Sequence, residues 1–335
     1  MKLIKLLALI AVLLLIIILI GQIIFNKLHM FPNQIKTGVT FSPKYVTDLK
    51  LDWKDTYLKV LQDLKVKNLR IPSYWDVLEE KKDQFDYSQV DFMVDEANKN
   101  KAQLIVVLGE RQPRWPECHI PVWARTLTVS DRQQRILEFI EKVVSRYKSS
   151  PEVTSWQIEN EPFLASFGTG CDIPDEQFLK SEIKLVRGLS GKPIILTDSG
   201  ELGNWIVPMQ LSDVFGITLY RDVYNHVLGY TTFPLLPYFY NLKSTLVRNL
   251  FAQSNKKTII IELQTEPWSP ENNLFETPIN KQAALFPLEK FKQNINFAKD
   301  TGFDEDYLWG VEWWYFMAQY GHPEYLDFAK SLFSK

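Results

Sequence analysis

Two hydrophobic patterns divide this chain of 335 residues. In the first, Leu6 to Phe25 runs apolar for twenty residues behind Lys2 and Lys5, with Gln22 as its only polar side chain. Roughly 20 apolar residues carry a helix across the hydrocarbon core of a bilayer, so this run predicts a transmembrane helix. The apolar part of a cleaved signal peptide is shorter, about 7–15 residues, and closes on small residues. Here the run closes on Gly21-Gln22-Ile23-Ile24-Phe25-Asn26-Lys27, which favours an uncleaved signal anchor. Lys27, Lys36 and Lys44 beyond the run nearly balance the two lysines before it, so the positive-inside count barely orients the helix. A short tail, one span and a large domain behind it predict a single-pass protein of the cell membrane, its domain outside the cytoplasm.

In the second pattern, short apolar runs alternate with amphipathic ones. The runs read as strands are Thr37–Phe41, Lys67–Ile71, Gln103–Leu108, Val153–Ile158, Pro193–Thr197, Val214–Leu219, Thr258–Glu262 and Tyr307–Glu312, eight in all. Between them, helical spacing aligns Tyr57, Leu58, Leu61 and Leu64, then Val90, Met93, Val94 and Ala97, then Ile136, Phe139, Ile140, Val143 and Tyr147. Ser130 and Gln133 fit a capping box at the start of the third helix. Helical periods recur in Gln177–Arg187, Lys243–Ala252 and Leu288–Lys299. Strands alternating with helices imply parallel strands and helical crossovers, an α/β fold. No strand runs into a G-x-G-x-x-G loop, which speaks against a doubly wound nucleotide fold. Eight units match a (β/α)8 TIM barrel. The predicted organisation is an anchor and connector over residues 1–36 and one barrel domain over residues 37–335. The fifth unit is the thinnest: only sixteen residues separate Thr197 from Val214, room for one short helix.

Composition narrows the chemistry. A formal charge of -2 offers no basic face for nucleic acid. Cys118 and Cys171 are the only cysteines; an extracytoplasmic domain would let them pair, but sequence alone does not decide it. His29, His119, His226 and His322 show no paired ligand spacing, so neither metal nor other cofactor is expected. The G-x-S-x-G elbow of the serine α/β hydrolases is absent.

In such barrels the site forms where strands run into the following loops. Those ends carry Arg70, then Gln157-Ile158-Glu159-Asn160-Glu161-Pro162, then Tyr220 and Arg221, Glu262 with Glu266 four residues on, and Leu308-Trp309-Gly310-Val311-Glu312-Trp313-Trp314. Two opposed carboxylates are what cleavage of a glycosidic bond requires. One protonates the leaving oxygen, and the other attacks the anomeric carbon or activates a water.

Ile158-Glu159-Asn160-Glu161-Pro162 resembles the strand-four Asn-Glu-Pro signature of glycoside hydrolase clan A, the cellulase-like and β-galactosidase-like barrels. The resemblance implies that Glu161 is the acid/base and that Asn160 binds the sugar's 2-hydroxyl. Ile259-Ile260-Ile261-Glu262 is similar to the clan's strand seven, which implies Glu262 as nucleophile. Arg70 resembles the strand-two arginine that steadies the nucleophile, Tyr220 the strand-six hydroxyl beside it, and Trp313 or Trp314 the strand-eight tryptophan under the sugar. Thr265-Glu266-Pro267-Trp268 also fits a nucleophile motif, but Glu262 closes the β-branched run and is preferred. Glu266 then falls in the loop as a sugar ligand. Glu159 shares a face with Glu161 if the strand continues; otherwise it packs with a basic partner inside the barrel.

The expected activity is membrane-anchored, retaining hydrolysis of an oligo- or polysaccharide. A non-catalytic carbohydrate-binding barrel and a transglycosylase remain as alternatives. The aromatic stretch Asp222–Asn241 is open to three readings: a platform for sugar faces, a loop packed on its own rings, or a contact with the membrane surface.

Overall fold

The computed structural model describes residues 34–334 except 165–166, 173–174, 226, 228, 253–254 and 269–273, together with residues 12, 13, 16, 20 and 21. Apart from those five, the apolar run at residues 6–25 and the connector up to residue 33 lie outside the described residues. Among the described residues no helix is long and apolar enough to cross a membrane.

Eight parallel strands close into a barrel: β1 (Lys36–Thr40), β2 (Asn68–Pro72), β3 (Gln103–Leu108), β4 (Val153–Ile158), β5 (Ile194–Ser199), β6 (Val214–Leu219), β9 (Lys257–Gln264) and β10 (Glu305–Trp309). The remaining pair, β7 (Asp222–Asn225) and β8 (Gly229–Thr232), forms a separate antiparallel hairpin between β6 and β9. The expected strands are all present. The last one differs most: it ends at Trp309, because Gly310 at φ 135° turns the chain and Val311–Gln319 is helical. That left-handed angle suits glycine, and a Cβ there would also stand 2.9 Å from the Glu266 Cβ.

The strands read as unbroken apolar runs because both faces are buried. Leu69, Ile71, Leu104, Val106, Leu108, Trp156 and Ile158 point outward into the layer shared with the helices. Inside, Ile105, Ile195, Ile259, Ile261 and Tyr307 pack as a separate apolar plug. The helix Val129–Tyr147 supplies the outer layer with Ile136, Phe139, Ile140, Val143 and Tyr147, as its spacing predicted. Its cap, however, is Thr128 rather than Ser130: the Thr128 hydroxyl accepts from the Asp131 amide at 3.2 Å and donates to the Asp131 carboxylate at 2.7 Å. The fifth crossover is the single short helix Ile206–Leu211. The helix Pro237–Phe251 starts six residues before its apolar period, Pro237 taking the first turn where no N–H is needed.

One irregularity shapes the mouth of the barrel. The register of β9 shifts against both neighbours, between Ile217 and Thr218 on β6 and between Asp306 and Leu308 on β10. Ile259 and Ile261 face the barrel axis, and Ile260 and Leu263 face the helices. The bulge lets Glu262 follow Ile261 onto the inner side instead of alternating outward, which is how bulges re-aim side chains.

Gly38 tests how tightly the barrel floor is packed. A Cβ there would lie 2.6 Å from the Asn68 carbonyl oxygen and 2.7 Å from the Tyr307 ring. Gly38→Ala is expected to cost about 1–3 kcal/mol as an overpacking substitution. Gly188→Ala, with nothing within 4 Å of its Cβ, is expected to cost nothing. Urea midpoints read both, and an unchanged midpoint for Gly38→Ala would contradict the packing described.

Candidate active site

The inner side of the barrel changes character along its length. Above the apolar plug, the last inward positions are Thr40 on β1, Arg70 on β2, Gln157 on β4, Thr197 on β5 and Thr218 on β6, all buried. Arg70 ties them together. Its Nε donates to Gln157 at 2.7 Å, its Nη1 to Glu262 at 2.6 Å, and its Nη2 to the Asn160 side-chain oxygen at 2.6 Å. A guanidinium with no exposed surface is tolerable because an anion and fixed acceptors replace the lost water. Tyr220, just past β6, donates its hydroxyl to the other Glu262 oxygen at 2.8 Å. Glu262 therefore carries its charge between an arginine and a phenol.

Glu161 stands across from it. β4 ends at Ile158, and both Glu159 (φ 53°) and Glu161 (φ 44°) adopt left-handed backbone, so the strand does not continue through them. The Glu161 amide donates to the Thr197 hydroxyl at 2.8 Å, which holds this turn in place. The Glu161 carboxyl accepts from Thr218 at 2.8 Å, and Thr218 is the register partner of Glu262 on the adjacent strand. The two acids thus flank one inward threonine. Burial pushes the Glu161 carboxyl well above the ordinary carboxylate range, and the charges of Glu262 and Glu117 push it further. It holds a proton where an exposed carboxyl would have lost one.

Glu159 does not share a strand face with Glu161, and the basic side chain whose charge it feels is Arg111. Glu159 turns away and accepts the Glu110 and Arg111 amides at 3.0 and 2.6 Å. Glu182, buried on the helix Glu176–Leu189, faces it and is kept protonated by burial and by Glu159 itself. A glycine is needed beside this carboxylate: at Gly109 (φ 101°) a Cβ would lie 2.1 Å from the Glu159 oxygen. Glu182 was not legible beside it from sequence, because it lies on a distant helix and a buried carboxyl leaves no mark in the motif.

Glu266 and Glu312 are both bound by Arg114, to which Glu312 pairs at 2.7 Å. The Arg114 guanidinium is sandwiched between the Tyr45 and Trp309 rings, 3.8 and 3.9 Å from their centroids. Glu266 is therefore ion-paired to Arg114, and its charge also acts on Tyr220. Trp313 lies elsewhere than the rim: fully buried on Val311–Gln319, it packs against Phe286 and Tyr325 and donates to Gln282 at 2.7 Å. Trp314 is likewise buried, on Phe291. The strand ends before its apolar pattern does, so Trp309 is the ring that reaches Tyr220, with 6.3 Å between centroids. Trp268 stands on the other side of Tyr220 at 5.4 Å. In the aromatic stretch after β6, Tyr224 and Tyr230 pack on one another across the hairpin at 5.1 Å.

The loop after β3 closes one side. Cys118 and Cys171 are disulfide-bonded, joining it to the loop after β4. Glu117, beside that bond, is buried and accepts from the Asn160 side-chain amide at 3.0 Å. Burial and the Glu262 charge push its carboxyl up to about 8. Sequence reasoning missed Glu117 because it sits mid-loop, far from any strand end. It missed Thr197 and Thr218 for another reason: their inward, mouth-side register is readable only once the barrel is closed. Among the described residues no group of His, Cys, Asp and Glu is arranged to hold a metal ion.

Known proteins resemble this chain in sequence over part of its length and in fold. The family model for Glycosyl hydrolase family 10 matches residues 42–173, a stretch holding Arg70, Glu117, Asn160 and Glu161. The β-galactosidase LacZ of Lactobacillus acidophilus is 26% identical over 187 residues, 49% of this chain and 27% of that protein. The matched stretch is thus a minor part of that relative. Among solved structures, a GH5_18 protein of Bifidobacterium longum aligns over 83% of this chain and 70% of its own, at 13% identity and TM-score 0.59. That GH5_18 protein has also been solved with Manβ1-4GlcNAc. A family 10 endo-β-1,4-xylanase of Gloeophyllum trabeum aligns over 84% and 85% at 15% identity and TM-score 0.53. The barrel is the fold of these enzymes, and the resemblance to clan A glycoside hydrolases extends from the motifs to the architecture.

The buried carboxyls have a consequence for stability. Burial lifts Glu110 and Glu117 from an ordinary 4.5 to about 8. Between those values the folded protein binds protons that the unfolded chain has released, so stability is full below the lower value and declines as pH rises through the upper one. The denaturant midpoint is expected to fall from about pH 5 to about pH 8, and Glu110→Gln to flatten the fall. A midpoint that is level over this window would rule the shifts out.

Proposed function

We propose that this protein is a retaining glycoside hydrolase acting on β-linked oligo- or polysaccharide. The observation that carries the reading is the unlike surroundings of two acids on one rim: Glu262 bonded by Arg70 and Tyr220, and Glu161 buried, its carboxyl pushed up by burial and by the Glu262 charge. Two carboxyls in unlike environments take unlike roles. Glu262 attacks the anomeric carbon as Glu161 protonates the departing oxygen. Glu161 then takes a proton from the water that releases the glycosyl group from Glu262. Arg70 and Tyr220 hold the Glu262 carboxylate for attack, and Asn160, fixed by Arg70, faces the 2-hydroxyl. The similarity to a β-galactosidase, a β-1,4-xylanase and a protein crystallised with Manβ1-4GlcNAc supports a β-glycosidic substrate.

The reading includes an anchor. Residues 6–25 would hold the barrel at the cell membrane, on the extracytoplasmic side, and the Cys118–Cys171 disulfide fits an oxidising compartment.

Glu161→Gln is expected to fold normally and lose about 10²–10⁴-fold in turnover. Glu161→Ala with azide should yield a β-glycosyl azide from an activated aryl glycoside, and NMR of the first product formed by the wild type should show retained configuration. Inverted product, or full activity in Glu161→Gln, would defeat the assignment. For the anchor, the full-length chain should stay with membranes through alkaline carbonate extraction; release into the supernatant would remove it.

A further inference from the structure

Asn160 is held at both ends of its side-chain amide. Its oxygen accepts from Arg70 at 2.6 Å and from Gln157 at 3.2 Å, and its nitrogen donates to Glu117 at 3.0 Å. The Arg70 grip also fixes which end is which, since a flipped amide would set its NH2 against the guanidinium. The Glu117 grip is built into the loop. The Glu117 amide donates to the Arg114 carbonyl and its own carbonyl accepts from the Gln112 amide, both within the turn, and its backbone is left-handed at φ 72°. Residue 118 next to it is tied by the disulfide to the loop that follows Glu161. The Glu117 charge is one of those that raise the Glu161 carboxyl, but its hydrogen bond goes to Asn160 and to neither of the two acids. Glu117 is buried beside Glu262, where another carboxyl is electrostatically unwelcome, and Arg70 and Arg111 are the cations that face it. A group retained against that cost has a use.

We propose that Glu117 is a positioning residue for selectivity at the sugar's 2-position: it and Arg70 clamp the Asn160 amide so that its remaining N–H is aimed at the 2-hydroxyl. This rests on the reading of the protein as a glycosidase. The clamp acts in the transition state, when hydrogen bonds to the 2-hydroxyl strengthen, so its loss falls on kcat more than on KM.

The test compares full-length wild type, Glu117→Gln and Glu117→Ala on an aryl β-glycoside and its 2-deoxy counterpart, the sugar being the one wild type cleaves fastest from a panel. Glutamine keeps an acceptor for the Asn160 N–H and alanine does not. Glu117→Ala is expected to lose about tenfold or more of the preference for the 2-hydroxyl substrate, through kcat, and Glu117→Gln to keep it within about threefold. In parallel, the Asn160 side-chain NH2 pair, assigned with Asn160→Asp, should show a proton shifted downfield and slow to exchange with solvent in wild type and Glu117→Gln, and should exchange faster at shifts near those of a free amide in Glu117→Ala. Thermal midpoints and thiol titration check that each variant is folded and disulfide-bonded. An unchanged substrate ratio in folded Glu117→Ala overturns the proposal, as does loss of the ratio in Glu117→Gln. If wild type cleaves no glycoside, the glycosidase reading fails; the amide signals then decide the clamp alone, and no response to Glu117→Ala overturns it.

Discussion

The site hangs on a single buried guanidinium. Arg70 sits at the top of the barrel interior with no exposed surface and bonds to residues of β4, the loop after β4, and β9. Its charge cannot be screened by water, so it demands an anion at a fixed place, and the β9 bulge delivers Glu262 there. The same group orients Gln157 and Asn160, and through Asn160 it meets Glu117. Removing Arg70 would leave Glu262 with Tyr220 as its hydrogen-bond donor, and Gln157 and Asn160 would lose the cation that orients them.

Around this centre the protein manages an excess of acid. Glu117, Glu161, Glu159, Glu182, Glu110, Glu266, Glu262 and Glu312 are all buried, and Arg70, Arg111, Arg114 and Arg132 are the buried arginines among them. The surplus is handled in two ways. Near Arg114 it is ion-paired and covered by rings; behind the loop of Glu159 it is covered by protons that Glu182 and its neighbours retain. Glu262 and Glu161 use both devices, an ion pair for Glu262 and a carboxyl pushed up by burial for Glu161.

How much of this could be read from sequence follows from period and range. The barrel was legible because outward strand residues such as Leu69, Ile71, Val106 and Ile158 are apolar, and because helical spacing fills the gaps. Glu161, Asn160, Glu262, Arg70 and Tyr220 were legible as strand-end residues, and the structure gathers these five around the barrel mouth through Arg70, Tyr220 and Thr218. What was not legible depends on geometry that no local pattern encodes. The turn at Gly310 ends β10 early and trades Trp313 for Trp309. The left-handed turn at Glu159 hands that carboxylate to Glu182 on a later helix, and Glu117 reaches Asn160 from the middle of a loop.

The bulge in β9 has a further consequence for traffic. Because Ile261 stays in the plug while Glu262 turns inward directly above it, the barrel is sealed beneath the carboxylate by Ile105, Ile195, Ile259, Ile261 and Tyr307. The site cannot be fed from below through that plug. In a double displacement the leaving group and the incoming water would then share one doorway, the mouth on the Glu161 side. On that reading the first product would have to clear the doorway before water could enter, and a lingering acceptor would intercept the glycosyl group ahead of water.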